Sequence, residues 1–285
     1  MQFRRGAGAD ESKAPLRPNV IPARKREELA EGANGAPAPA LSVVIPVHDE
    51  AENIGGLLEE VRRALGDVVP FEIVVIDDAS PDDTVARLDA CSAVMPELRV
   101  VCHRRNAGQS TAVHTGVRTA RGALVATLDG DGQNDPADIP ALLARYREAA
   151  DGRPVLIAGQ RTRRQDSFVR RASSRIANAA RSRVLRDQTP DTGCGLKLFA
   201  RSDFLALPYF DHMHRFLPAL VLRSGGRVLS VPVNHRPRGG GRSHYGIRNR
   251  LLPGIVDMIG VAWLMRRSKL PEAVERPRPV RKVGA

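Results

Sequence analysis

The stretch ATLDGDGQND, residues 126–135, sets Asp129, Asp131 and Gln133 two positions apart, directly behind the apolar run that begins at Ala123. On an extended or turning segment, that spacing puts alternate side chains on one side. Their hard oxygens are the donors that Mg2+ or Mn2+ takes, cations that keep waters and bridge to substrate phosphates. The competing reading is a solvated acidic turn that caps a helix. An EF-hand is excluded, because Asn134 stands where that loop needs glycine and Pro140 where it needs the bidentate glutamate.

Other polar groups stand at comparable places. Asp77 and Asp78 end the run FEIVVID, where carboxylates are costly unless partnered. Asp78 could accept hydrogen bonds from a ribose or base, or cap a helix starting near Asp82. His48 and Glu50 follow a run ending at Pro46 and Val47, and Glu50 could equally cap the next helix. The loop RPRGGGRSHYG, 236–246, is flanked by His235 and holds His244; both fit phosphate contact or simple exposure. Cys194 lies between two glycines with no histidine assignable to it, which reads as a structural cysteine. The glycine fingerprint for dinucleotides, the GxxxxGK[ST] phosphate loop and the GxSxG elbow are missing.

These groups need a scaffold that brings them together. Strands are expected at 41–47, 71–77, 98–103, 123–128, 154–159, 192–200 and 227–235. Helices are expected at 52–65, 82–93, 109–120, 136–149 and 214–223, with an amphipathic helix ending near Arg267. Strand and helix alternate roughly every 25 residues at first, the rhythm of βαβ units in a mainly parallel sheet covered on both faces. Such sheets bind ligands beyond the carboxyl ends of their strands. Pro46–Glu50, Asp77–Asp78, Arg104–Gly108 and Asp129–Asp135 would all meet at that edge.

Around this core, residues 1–40 and 268–285 read as disordered tails, and 236–267 as a loop plus a helix closing a domain that spans 41–235. The net charge of +12 calls for an anionic partner. Segment 161–186 holds nine arginines against Asp166 alone, which fits a solvated face, a phosphate clamp or a patch for an anionic membrane surface. Nucleic acid is not the expected partner, since interleaved aromatics and recognisable binding motifs are lacking. The longest apolar stretch, Leu251–Met265, contains Pro253 and Asp257 and falls short of the about 20 residues a spanning helix needs. Three scattered cysteines point to a reducing compartment. The expected location is therefore cytoplasmic, peripheral on the cytoplasmic face of the membrane.

Taken in order, VVIPVHDEAENI, VVIDDASPDDT, RRNAGQSTAVHTG and LDGDGQNDP resemble the family 2 glycosyltransferases. DTGCGLKLF, MHRFLPAL and VNHRPRGGGRSHYGIRNR look like the branch that includes dolichyl-phosphate mannose synthases and bacterial polyprenyl-phosphate sugar transferases. The resemblance covers 41–267. It implies an α/β GT-A fold and inverting, metal-dependent transfer of a sugar from a GDP- or UDP-linked donor to a polyprenyl phosphate. By that similarity Pro46, Val47, His48 and Glu50 border the nucleoside and Asp78 meets the base or ribose. Asp129, Asp131 and Gln133 bind the cation. Arg161, Arg236, Arg242 and Ser243 serve donor or acceptor phosphates, with His244 where a lysine is often found. His48-Asp49 stands where Tyr-Asn is more usual. Two alternatives stay open: a related transferase acting on a sugar or protein hydroxyl, for which Asp191 is the candidate base, and a non-catalytic nucleotide-sugar or membrane-binding protein.

Overall fold

The computed structural model describes residues 38–162, 181–185, 187, 189–237, 248–267 and 269, with backbone only at 248–253. Its strands are β1 (Leu41–Val47), β2 (Phe71–Asp77), β3 (Leu98–Cys102), β4 (Leu124–Thr127), β5 (Val155–Arg161), β6 (Lys197–Ala200) and β7 (Arg227–Val233). They form one sheet in the order β3-β2-β1-β4-β6-β5-β7. The helices are α1 (Ile54–Leu65), α2 (Thr84–Ser92), α3 (Gln109–Thr119), α4 (Ile139–Ala149), α5 (Arg201–Leu205), α6 (Leu217–Arg223) and α7 (Arg248–Arg266).

β-Branched residues fill the central strands because both faces of the sheet are covered. Val43, Ile45, Ile73, Val75 and Ile157 pack on one side with Ile54, Leu58 and Leu142 of α1 and α4. Their neighbours Val44, Val74, Ile76, Val125 and Leu156 pack on the other with Val113, Val117 and Leu220 of α3 and α6. β1 pairs in parallel with β2 and with β4, on opposite sides. The chain therefore winds one way to β3 and then restarts next to β1. The crevice at the carboxyl ends of β1 and β4 is the switch point at which such sheets bind ligands.

Two elements differ from expectation. The strand expected at 192–200 is confined to Lys197–Ala200 and runs antiparallel to both β4 and β5; a turn at Thr192–Gly193 and the stretch after it use the preceding residues to approach β4. The helix expected at 214–223 divides into a 3-10 turn, Met213–Arg215, and α6, which has Pro218 in its first turn.

At the amino edge, far from the crevice, Glu72 is buried and accepts hydrogen bonds from Ser42 Oγ (2.6 Å), Arg99 Nη1 (2.7 Å) and the Arg121 N–H. Burial alone would raise its pKa, but these donors outweigh it and hold the carboxyl below its ordinary value.

α7 packs on α6 through buried Val261 and partly buried Met258, Ala262 and Met265. Arg223 Nε donates to the Leu264 carbonyl at 3.0 Å, and His212 Nδ1 lies 2.9 Å from Asp257 Oδ2. Its outer side carries exposed Ile255, Val256, Ile259 and Trp263, with the Arg267 guanidinium 5.8 Å from the Trp263 ring centroid. Over its described side chains the helix thus carries apolar residues on two sides, one of them spent on packing. Among the described residues no helix is long and apolar enough to cross a membrane.

Candidate active site at the β1–β4 crevice

The loops leaving β1 and β2 are laced together. Asp78 N–H donates to the Val47 carbonyl at 2.9 Å, Asp49 N–H to Ser80 Oγ at 3.1 Å and Glu50 N–H to Thr84 Oγ1 at 3.0 Å. Asp49 and Ala79 adopt left-handed φ of 58° and 59°, a conformation that costs energy for residues with a Cβ and is often found at ligand sites. Glu50 serves the start of α1: its carbonyl accepts from Asn53 and Ile54 N–H, and its Oε2 from Asn53 Nδ2 at 2.7 Å. His48 Nε2 lies 3.9 Å from Asp49 Oδ2.

Asp78 is buried, and its carboxylate turns toward the loop before α3 rather than toward α2. It accepts from Ala107 N–H (2.9 Å) and Gly108 N–H (2.7 Å), and His103 Nδ1 lies 2.7 Å away. His103 Nε2 reaches Thr115 Oγ1 at 3.0 Å. Asp82, not Asp78, accepts from Thr84 N–H at the start of α2.

The acidic stretch after β4 divides by role. Asp135 accepts from Ala137 N–H at 3.0 Å and caps a 3-10 turn, Pro136–Asp138. Asp131 Oδ1 accepts from Gln133 N–H at 3.1 Å across Gly132, whose φ is 70°. Asp129 Oδ1 accepts from Gln109 Nε2 at 2.8 Å. A methyl group on Gly195 would collide with the same carboxylate. Thr127 Oγ1 holds the Gly195 carbonyl at 2.7 Å. Burial, then the neighbouring Asp131 carboxylate, pushes the Asp129 pKa up to about 6. Gly130 closes the gap to β1: a Cβ there would come 2.6 Å from Val47 Cγ1 and 3.1 Å from the Pro46 carbonyl.

Positive charge lines the far side. Arg161 grips Asp191 in a bidentate pair, Nε–Oδ2 2.7 Å and Nη2–Oδ1 2.8 Å. Lys197 is buried with its Nζ on the Cys194 carbonyl, and burial holds its pKa below the ordinary value. Arg236 is clamped between Glu60 (2.6 Å) and Asp135 (2.6 Å). Its N–H donates to the Gln133 carbonyl at 2.9 Å, while Gln133 Nε2 points back to the Arg236 carbonyl at 3.4 Å. Among the described residues, no group of three or more His, Cys, Asp or Glu could hold a metal ion. Arg242, Ser243, His244 and most of the basic segment 161–186 lie outside the described residues.

The structure thus brings Pro46, Val47, Asp78, Asp129, Asp131, Gln133 and Arg161 to one edge. Sequence reasoning missed Gln109, Gly195, Lys197 and His103. Lys197 carried a signal, since a lysine inside the apolar run LKLF needs a partner.

The profile described as Glycosyl transferase family 2 matches residues 42–207. The chain belongs to this family. Among curated relatives of this glycosyltransferase, a dodecaprenyl-phosphate galacturonate synthase from Rhizobium johnstonii is 36% identical over 81% of the chain and 69% of the relative. An undecaprenyl-phosphate 4-deoxy-4-formamido-L-arabinose transferase from Edwardsiella ictaluri is 36% identical over 77% and 66%. Glucosyl-3-phosphoglycerate synthase from Mycobacterium tuberculosis, solved with UDP, shares the fold with a TM-score of 0.60 at 18% identity, covering 79% of this chain and 80% of that one. A mannosyltransferase from Pyrobaculum calidifontis, solved with GDP-Man and Mn2+, gives 0.57 at 20% identity, covering 87% and 71%. The glycosyltransferase therefore has the GT-A fold that the family resemblance implied.

Proposed function

We propose that this glycosyltransferase moves one sugar, with inversion, from a UDP- or GDP-linked donor to the phosphate of a polyprenyl phosphate. The observation that carries this reading is the Asp129–Asp131 pair past the end of β4, with the Arg161–Asp191 pair on the same edge. The names of the curated relatives support the acceptor class. The nucleotides bound by the structural neighbours support the donor class.

Two hard carboxylates crowding one another, one of them with a raised pKa, are a donor set that fits Mg2+ or Mn2+. Asp129 and Asp131 would hold the cation with Gln133 beside them, and it would serve as Lewis acid toward the leaving diphosphate. The remaining work falls to the chain itself. Pro46, Val47 and His48 border the nucleoside, while Glu50 and Asp78 keep its loops in shape. Arg161, oriented by Asp191, offers the Nη1 edge outside that pair to phosphate oxygens. Arg236 ties the chain leading to Arg242, Ser243 and His244 onto the acidic loop. The acceptor needs no protein base, because a phosphate monoester with a second pKa near ~6 is largely dianionic at pH 7.

A hydroxyl acceptor would need such a base, and both oxygens of Asp191 are engaged by Arg161. That disfavours the alternative transferase. The outer side of α7 and exposed Arg266 and Arg267 support a peripheral seat on an anionic leaflet, and the free cysteines fit its cytoplasmic face. Nucleic acid has no part in this reading.

The test is incubation with a panel of nucleotide sugars, polyprenyl phosphate and Mn2+, followed by analysis of the lipid. A cation-dependent lipid-linked sugar is expected, nearly abolished in folded Asp129→Ala or Asp131→Ala. Transfer to sugar or protein hydroxyls with none to lipid would overturn the acceptor assignment.

A further inference from the structure

Gln109 is the first residue of α3, and its side chain crosses to the acidic loop. Its Nε2 donates to Asp129 Oδ1 at 2.8 Å, and the Gly195 backbone lies so close to the same carboxylate that a Cβ there would collide with it. The Asp129 side chain thus meets both an amide donor and a residue with no Cβ. Gln109 is itself fixed from behind. The two residues before it, Ala107 and Gly108, donate their N–H groups to Asp78, and Gly108 turns into the helix at φ 86°. One bonded path thus runs from the nucleoside side of the crevice, Asp78, through the start of α3 to the cation side, Asp129.

We infer that Gln109 is a positioning residue: it holds the Asp129 carboxylate in the orientation that receives the divalent cation, and it ties that orientation to the Asp78-bound loop. This rests on the cation site proposed above. An amide suits the task because it donates without adding charge. A lysine there would compete with the cation, and a carboxylate would repel Asp129. Partners that orient metal ligands without touching the metal typically contribute about 10–100-fold to metal affinity or activity.

The experiment measures Mn2+ binding by electron paramagnetic resonance with UDP or GDP present, on wild type, Asp131→Asn and Gln109→Leu. Gln109→Leu is expected to bind Mn2+ about 10–100-fold more weakly. Its turnover should recover as Mn2+ is raised, so that the loss lies in the cation requirement rather than in kcat. Gln109→Asn, whose amide is too short to span the gap, gives the same reading if the leucine variant fails to fold. Asp78→Asn should weaken Mn2+ binding too, with the double variant losing less than the sum of the singles. Wild-type Mn2+ affinity in the Gln109 variants overturns the inference while leaving the cation site intact, and additive losses sever the link to Asp78. If wild type binds no Mn2+ that Asp131→Asn removes, the cation site itself fails, and this role of Gln109 with it.

Discussion

Asp191 holds both Nε and Nη2 of Arg161, at 2.7 and 2.8 Å, so one edge of the guanidinium is fixed by a carboxylate. Asp191 is buried and Arg161 mostly so. Removing one partner of such a pair leaves a costly charge behind. Asp191→Asn is expected to destabilise the fold by about 3–5 kcal/mol and to lower kcat. Arg161→Lys, which keeps the charge but loses the planar fork, should cost more than tenfold in kcat/KM, on the order of 1.4 kcal/mol or more. Steady-state kinetics together with urea unfolding separate the two effects.

The raised pKa of Asp129 makes a signed prediction for the metal-free protein. Its folded value, about 6, exceeds the ordinary 3.8, so the ionised carboxylate opposes folding. That penalty is full above pH about 6 and disappears as pH falls toward 3.8. Asp129→Asn should therefore stabilise the metal-free chain at pH 7.5, by at most about 3 kcal/mol, with the gain fading near pH 4. Thermal unfolding in a chelator across this range is the check. A cation competes with the same proton, so Mn2+ affinity should fall below pH about 6.

Gly195→Ala tests the close approach of bare backbone to Asp129. The added methyl group must displace the Asp129 carboxylate or the loop before β6. Overpacking of this kind costs about 1–3 kcal/mol. The expected outcome is a folded protein with much weakened Mn2+ binding, measured by calorimetry. Wild-type affinity would mean that the carboxylate finds another seat.

Glu72 gives the opposite sign at the opposite edge. Its folded pKa is lowered from 4.5, so its contribution is full above that value and is lost as pH falls through the lowered one. Glu72→Gln should cost about 1–3 kcal/mol at pH 7, with the gap to wild type closing below pH 4.5. Urea midpoints at pH 7 and pH 3.5 measure it, and turnover should scale only with the folded fraction.

The outer side of α7 tests the proposed membrane seating. Ile259→Asp combined with Trp263→Asp places two carboxylates where the exposed side is apolar. Co-sedimentation with anionic vesicles should drop by at least about tenfold, and transfer to a short, water-soluble prenyl phosphate should persist. Unchanged sedimentation would remove α7 from the proposed contact.

The parallel half of the sheet could be read from the chain because each strand is a run of β-branched residues followed by a polar turn, as in LSVVIPV and FEIVVID. The alignment of Asp78 with Asp129 followed from the crossover rule, since both end such strands. β6 was harder. Its direction depends on how the chain returns from residue 162, and four mostly buried residues, KLFA, do not encode direction. The division of labour among carboxylates was also hidden. Asp129, Asp131 and Asp135 look alike in sequence, and only the third dimension brings Gln109 to the first, a turn N–H to the second and a helix start to the third. Arg236 was expected at phosphate, but its neighbours in space, Glu60 and Asp135, come from distant segments.

The brevity of β6 carries a risk for anyone refolding this protein. A slip of one residue in so short a strand would invert every side chain in it, turning Lys197 away from the crevice and pulling the bare backbone out from under Asp129. Preparations recovered from denaturant should therefore be judged by titrating competent sites, not by far-ultraviolet spectra.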